Sequence, residues 1–425
     1  MEFLLILLIK FTLAGIVFAG VLNFAGFHTW VERKQSALIQ DRIGANRADI
    51  LGFRMLGLFH GIADVIKMFT KEDIVPVGAN KTLHILAPFL AVFFALVAFA
   101  AIPFGPPLIV PAVQEPIALQ VASIDTALLY IFAMLSLGVY GVILGGFASP
   151  NNYAIMGGLR AMAQMISYEI ALGIAVIGVI MVYGTMDLSV LVEKQGYMLG
   201  GWIPFWGICV QPVAFIVFVT AALAETKRAP FDLPEAESEI IGYFVEYSGM
   251  KFGMFFLTDF IETIMVACLA TTLFFGGWQV PFLMTSADAD NDRAVTREES
   301  KEWLEQRGGR GHFGGDSQAL FQQFDGDGDD ELSGDEIPAW MADGFQFPWG
   351  ASLPVSNLVC VLLGVMSFSI KVVVFCWIFM QLRWTLPRFR YDQLMNLGWK
   401  GLFPIAVVNV VVTAVVLLIF FEKAS

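Results

Sequence analysis

The sequence is short of charge: only 15% of its 425 residues are Asp, Glu, Lys or Arg. A water-soluble globular domain carries roughly 25%, so that class is excluded. Cysteine is scarce too, and Cys209, Cys268, Cys360 and Cys376 fall in or near apolar runs with no CxxC spacing. That excludes a disulfide framework and an iron–sulfur ligand set, and leaves four small packing residues. The four histidines are scattered, so no histidine metal cluster is implied. The apolar runs are continuous and lack a two-residue alternation, which excludes a transmembrane barrel.

What the chain has instead is hydrophobic length. Apolar residues make up 57% and the mean hydropathy is +0.71. Eight runs, near 3–27, 82–104, 126–148, 166–184, 203–224, 258–280, 352–381 and 400–421, approach the ~20 residues needed to cross a bilayer core. The prediction is an all-α polytopic membrane protein with about eight transmembrane helices. The first run is too long for a simple signal core and is expected to stay as a span.

Basic residues orient these spans. Segment 31–81, the loop near 149–165, the loop 225–251 and the loop 382–400 carry Arg and Lys, whereas 105–125 and 185–202 carry few. By the positive-inside rule the four basic segments face the cytoplasm and both termini lie opposite.

Residues 285–345 break the pattern. They hold sixteen acidic and five basic residues, so most of the net charge of −13 is local to them. Two twelve-residue stretches, starting at Asp288 and Asp325, repeat a calcium template. Asp288, Asp290 and Asp292, then Thr296 and Glu299, occupy positions 1, 3, 5, 9 and 12 of the first. Asp325, Asp327, Asp329, Glu331 and Glu336 occupy positions 1, 3, 5, 7 and 12 of the second. Oxygen ligands at that spacing, closed by a bidentate carboxylate, are what one calcium ion requires. Position 6 departs from the template: Arg293 and Asp330 stand where Gly would permit positive φ. The expected organisation is a membrane domain (1–284), an inserted EF-hand-like calcium-binding pair (285–345) and a second membrane segment (346–425). Counting spans puts the insert on the extracytoplasmic side, where a structural or docking role suits it better than signalling.

The basic loops carry the chemistry. Ala224–Glu239 packs five carboxylates and two cations into sixteen residues between two spans. Carboxylates crowded into a partly dehydrated space cannot all stay ionised, and such groups take up and release protons as nearby charge changes. Leu56, Phe59, Ala63 and Ile66 recur at helical spacing in and just before 57–72, as on a helix lying in the membrane interface. Glu169 at the edge of a span and Lys371 within one are costly unless they face a polar path or a partner.

Four of these motifs, in order, resemble one family. Glu32-Arg33-Lys34 followed by Gln40-Asp41-Arg42-Ile43-Gly44-Ala45-Asn46 is the first, with Ala45 where the family has Pro. The second runs from Gly146 through Tyr153 and Arg160 to Gln164-Met165-Ile166-Ser167-Tyr168-Glu169. The third is Glu225-Thr226-Lys227-Arg228-Ala229-Pro230-Phe231-Asp232-Leu233-Pro234, and the fourth runs from Arg383 to Met395. Everything outside 285–345 resembles the quinone-site membrane subunit of respiratory complex I, the NADH:quinone oxidoreductase.

The resemblance implies a subunit of a proton-translocating oxidoreductase with no complete active site of its own. Its cytoplasmic loops would form the membrane side of a quinone chamber, quinone being the substrate. Arg33 and Asp64 would lie near the mouth. Glu225, Arg228, Glu235, Glu237 and Glu239 would form a charged wall, and Glu169, Glu246, Asp259 and Lys371 would continue a proton path. Asp259 sits where the family usually has Glu. The chain has no flavin, nucleotide or cluster motif, so the peripheral-arm subunits would supply flavin and iron–sulfur clusters. Antiporter-like and small membrane subunits would be its other partners, the bacterial inner membrane its location, and nucleic acid no partner. Two alternatives remain: a homologous subunit of a membrane-bound hydrogenase-like complex, and a calcium-regulated channel or transporter.

Overall fold

A computed structural model describes residues 2–108, 117–196, 203–234, 242–280 and 357–424, with Ser300 and several short strands. Among these residues the chain is a bundle of helices. We number them α1 (Glu2–Ile39), α2 (Phe59–Thr70), α3 (Lys81–Val97), α4 (Ala127–Ala148), α5 (Asn152–Tyr183) and α6 (Leu188–Lys194). There follow α7 (Gly207–Val210), α8 (Pro212–Glu225), α9 (Gly249–Phe274), α10 (Asn357–Thr385), α11 (Tyr391–Asn396) and α12 (Phe403–Ala424). A π-turn at Leu397–Leu402 makes α11 and α12 one continuous rod.

Among the described residues, seven helices are long and apolar enough to cross a membrane. The expected fifth span, 203–224, is the exception: its regular part is the 14-residue α8 alone, about 21 Å at 1.5 Å per residue. Pro204 and Pro212 interrupt it, and α7 is a single turn packed so closely on α9 that a Cβ on Gly207 would meet Leu273 O at 2.2 Å. Irregular backbone at membrane depth survives only where protein satisfies it. Here Gln195 supplies the partners, accepting from Gly207 N at 3.2 Å and Gly276 N at 2.9 Å and donating to Thr272 O at 2.7 Å. Gln211, at the start of α8, donates to Thr413 Oγ1 at 2.8 Å and accepts from Asn409 Nδ2 at 2.9 Å, which ties the short span to α12.

The helix ends follow from local chemistry. Asn151 caps α5 by accepting from Tyr153 N, and Gly184 ends it at φ +67°, the left-handed conformation that suits glycine. Helix α1 runs for 38 residues, about 57 Å. That is far more than a bilayer core needs, so its end carries Glu32-Arg33-Lys34 out beyond the apolar layer. Helix α9 lies at the centre, with nearly every residue from Thr258 to Phe274 buried. Its acidic residues therefore sit inside protein, not against lipid.

Contacts at the two ends of the bundle separate the poorly basic loops from the basic segments. At one end Lys10 donates to Ala118 O and Gln120 O, and Gln120 accepts from Ser189, so the poorly basic loops meet there. The four basic segments meet at the other. Lys251 pairs with Asp73 at 2.8 Å, Asn151 donates to Glu246 at 3.1 Å, and Arg388 lies 3.2 Å from Asp232.

The interfacial helix forms, with a different apolar face from the one expected. Leu56 lies before it, in the turn Met55–Gly57, with φ +55°. The exposed apolar stripe of α2 is Ile62, Val65, Ile66 and Phe69, at the i, i+3, i+4, i+7 spacing of one helical face. His60 faces the other way, its Nε2 accepting from the backbone N–H groups of Arg47 and Ala48.

Within 285–345 the short strands are described and the calcium-template side chains are not. After β1 (Met198–Leu199) and β2 (Ile203–Pro204), which pair with each other, and β3 (Leu283–Met284), strand β4 (Ala294–Thr296) pairs antiparallel with β5 (Glu331–Ser333), Val295 opposite Leu332. At the edges of the segment, β3 (Leu283–Met284) pairs with β6 (Gly344–Gln346), and β6 pairs with β7 (Ser352–Pro354). Asp288, Asp290, Asp292, Glu299, Asp325, Asp327, Asp329 and Glu336 lie outside the described residues. For Thr296 and Glu331 only the backbone is described.

Candidate functional site

The loop after α8 turns back into the protein instead of leaving it. Lys227 holds φ +56°, an uncommon conformation for a lysine. This turns a cation inward that would otherwise reach solvent, and Lys227 is 2% exposed. Gln164 of α5 fixes the turn by donating to Ala224 O at 2.6 Å and Phe231 O at 2.7 Å. Phe231 stacks on Phe389 at 5.3 Å, and Phe389 N donates to Pro230 O at 3.1 Å. The third and fourth basic segments thus hold each other in place.

The buried end of this loop makes a charge cluster with α9. Lys227 Nζ lies 3.1 Å from Asp259 Oδ1 and 3.3 Å from Glu262 Oε2, all three side chains being buried. Glu225 is buried beside them, and its Oε2 has no hydrogen-bond partner among the described residues. Lys227 is thus the one cation among the described residues in direct contact with these carboxylates, while Arg228 lies within electrostatic reach of Glu262. Burial by itself would push the Lys227 ammonium down, but Glu262 and Asp259 outweigh it and hold Lys227 well above the usual lysine range. The two acidic neighbours thus favour the charged form of Lys227.

A second cluster lies next to it along the chain. Glu32 of α1 accepts from Arg228 at 3.3 Å and from Arg383 in a close contact, tying α1, the third basic segment and α10 together. The Arg228 guanidinium covers the Phe260 ring at 3.7 Å, a cation–π contact in a desolvated place. Farther out, Arg33 pairs with Asp64 at 2.5 Å, both partly exposed, and joins α1 to α2.

The structure thus brings Glu225, Arg228 and Asp259 into contiguous buried networks and places Arg33 and Asp64 at the outer rim. Glu169 accepts from Ser136 on α4 and lies within electrostatic reach of Glu225. Glu246 accepts from Asn151 at 3.1 Å, on the far side of the same loop. Glu235, Glu237 and Glu239 lie outside the described residues. Lys371 stands apart from all of these: its Nζ donates to Phe275 O at 2.9 Å, Gly277 O at 3.0 Å and Gln279 O at 2.7 Å. Those carbonyls follow α9 at the opposite end from Asp259, and Lys371 also faces the Trp206 ring at 4.8 Å.

Four residues central to this geometry were given no role from the sequence: Glu32, Lys227, Glu262 and Arg383. All but Glu262 lie inside motifs that were singled out. What the sequence did not show is that the φ +56° turn aims Lys227 inward, while Arg228, one residue on, aims at α1.

The sequence profile of the family described as NADH dehydrogenase matches residues 11–414. An H subunit of the NADH-quinone oxidoreductase of Cytophaga hutchinsonii is 37% identical over 415 residues, 97% of this chain and 98% of that one. An H subunit from Solibacter usitatus is 38% identical over 414 residues, 97% and 96% of the two chains. An H subunit from Geobacter sulfurreducens is 37% identical over 405 residues, 95% of each. The chain belongs to the NADH dehydrogenase family, among the H subunits of NADH-quinone oxidoreductases.

Proposed function

We propose that this chain is the membrane subunit of a proton-translocating NADH:quinone oxidoreductase that walls the quinone chamber and links quinone reduction to proton movement. The observation that carries the reading is the buried imbalance of Lys227 against Asp259, Glu262 and Glu225, next to the Glu32–Arg228–Arg383 cluster. Reducing a quinone to a quinol takes two electrons and two protons. The electrons come from the clusters of a peripheral-arm neighbour, since this chain has no motif to hold any. The protons change the charge balance beside Arg228 and Glu225. In a low-dielectric interior, charge changes at short range act strongly, so the carboxylates of the Lys227 cluster respond by binding or releasing protons. Glu169 and Asp259 then continue the path from Glu225 into the membrane domain. Glu235, Glu237 and Glu239 extend the wall, Glu246 lies along its far side, and Arg33 and Asp64 mark the mouth beside the lipid-facing stripe of α2. Antiporter-like membrane subunits receive the consequence.

The Lys371 geometry favours anchoring over proton transfer, because backbone carbonyls occupy its three N–H groups. Isolating the native complex tests the whole reading. Co-migration of this chain with NADH dehydrogenase activity on a native gel supports it. Migration with a hydrogenase-type large subunit instead would assign the chain to that related class of complex.

For residues 285–345 we propose an extracytoplasmic lobe holding two calcium sites. The β4–β5 register supports it: Val295 and Leu332, position 8 of each twelve-residue template, stand opposite one another. Two loops joined there would share one strand pair, with Asp288, Asp290, Asp292, Thr296 and Glu299 as ligands on one side. Asp325, Asp327, Asp329, Glu331 and Glu336 would serve on the other. Calcium there would hold the lobe in shape and take no part in the redox chemistry.

A further inference from the structure

The first basic segment, between α1 and α2, is held in an unfavourable shape. Its residues Leu51, Met55 and Leu56 take φ +53°, +36° and +55°, the left-handed region that side chains of this size rarely adopt. Ile43, Leu51, Phe53 and Leu56 also leave large apolar side chains exposed. Backbone of that kind persists only where its surroundings over-determine it.

Helix α1 fastens the two ends of the segment. Lys34 Nζ donates to Ile43 O and Trp30 Nε1 donates to Leu56 O, each at 3.3 Å. Helix α2 fastens the middle. His60 Nε2 accepts from two successive backbone N–H groups, Arg47 at 3.2 Å and Ala48 at 3.1 Å.

The hold in the middle depends on one lone pair. A neutral imidazole carries its proton on one nitrogen and accepts on the other. Two donors aimed at Nε2 assign the proton of His60 to Nδ1. A second proton would put an N–H on Nε2, facing two other N–H groups, and both hydrogen bonds would be lost. His60 is partly exposed, so a proton from solvent reaches it without any opening of the bundle. Imidazole is also the side chain whose charge changes between about pH 5 and 8. The charged groups on the elements that meet here are Arg33 and Lys34 of α1, Asp64 of α2, and Arg47 and Asp49 of the segment itself. Asp64, one turn on from His60, is engaged by Arg33 at 2.5 Å.

We propose that His60 is a proton-released latch on the first basic segment. Neutral, it holds Arg47 and Ala48 against α2; protonated, it frees the segment to leave its strained form beside the Arg33–Asp64 pair. Acidification then weakens quinone use. That effect on turnover rests on the chamber reading above, which puts the pair at the mouth, whereas the latch stands on the geometry of the segment alone.

Hydrogen–deuterium exchange of the intact native complex, read by mass, reports on the amides of Arg47 and Ala48 directly. Rates are corrected for the pH dependence of chemical exchange. Between about pH 8 and about pH 5.5, the range of imidazole titration, wild-type exchange rises about five- to tenfold, the scale of one hydrogen bond. His60→Gln, whose side-chain carbonyl accepts at every pH, keeps the two amides protected throughout. His60→Leu leaves them unprotected at both ends of the range. KM for a short-chain quinone, measured on the same preparations, rises on acidification in wild type and stays flat in His60→Gln.

Wild-type exchange that does not respond to pH overturns the proposal, and that comparison needs no variant to assemble. An equal pH response in His60→Gln and wild type overturns it too. The expected exchange, with a KM that moves alike in both proteins, overturns the control of turnover. Glu225→Gln is assayed alongside: normal turnover there fells the chamber reading, while the exchange results still decide the latch.

Discussion

Lys227 Nζ and Asp259 Oδ1 lie 3.1 Å apart with both side chains buried, and the pair joins a loop to the central helix of the bundle. The contact exists because the backbone at Lys227 takes φ +56°; an extended residue there would carry the ammonium away from α9. Removing the cation strands Asp259 and Glu262 without compensation. Breaking a buried pair from one side costs about 3–5 kcal/mol, so Lys227→Met should sharply lower the melting temperature and yield of the complex. Adding Asp259→Asn and Glu262→Gln to Lys227→Met should restore part of the loss, because the charges left alone are then gone. Thermal melts of the purified complexes check this, and no recovery in the triple variant would contradict it.

The same pair sets a pH dependence. A cation whose folded-state pKa lies above its unfolded value stabilises fully below the ordinary lysine value of 10.5. That stability disappears only as pH rises through the higher folded value. The stability difference between wild type and Lys227→Met should therefore show no alkaline fall between about pH 7 and 9. Melts across that range would reveal a fall if the lysine titrated there.

Glu225→Gln keeps the size of the side chain and removes its charge from the cluster. It should depress inhibitor-sensitive, quinone-linked turnover while the complex still assembles, and Glu237→Gln should do the same. Normal turnover in both variants would sink the roles assigned to them.

Glu32 and Asp64 offer a contrast in burial. Glu32 is clamped by two arginines with its carboxylate buried, whereas Arg33 and Asp64 are 44% and 35% exposed. Exposed pairs contribute about 0–1 kcal/mol, so Asp64→Asn should shift the melting temperature little, and less still at high salt. Glu32→Gln should cost several times more and loosen α10 from α1. Paired melts at low and high salt test the ordering.

Lys371→Met removes three hydrogen bonds from the carbonyls that follow α9. The expected outcome is a weaker junction between α9 and α10, read as less assembled complex on a native gel and a lower melting temperature. An unaltered complex with impaired proton pumping would favour the proton-path role instead.

Glu336→Gln removes the closing carboxylate of the second calcium template. It should weaken calcium binding by the solubilised protein, measured by titration after chelation, and leave quinone-linked turnover unchanged.

By itself the sequence determined the class and most of the span positions. Burial of apolar length and placement of basic residues follow from composition along the chain, with no need to know what packs on what. Runs such as 126–148 became helices nearly to the residue, as α4 did. The same logic did not reveal that 203–224 is a broken span, because hydropathy does not register that Pro204, Gly207 and Pro212 break the helix, or that Gln195 and Gln211 satisfy the broken backbone from outside. It also put Leu56 on the interfacial helix, where one turn of positive φ places it off the end. The charged motifs were legible as chemistry but not as pairs. Which carboxylate meets which cation depends on residues far apart in the chain: Glu32 with Arg228 and Arg383, Lys227 with Asp259 and Glu262, Lys371 with the carbonyls after α9. Only the packing of α1, α9 and α10 around the returning loop decided those partners. A side chain's charge state depends on the solvent it loses and the charges it meets, and both are properties of the folded chain.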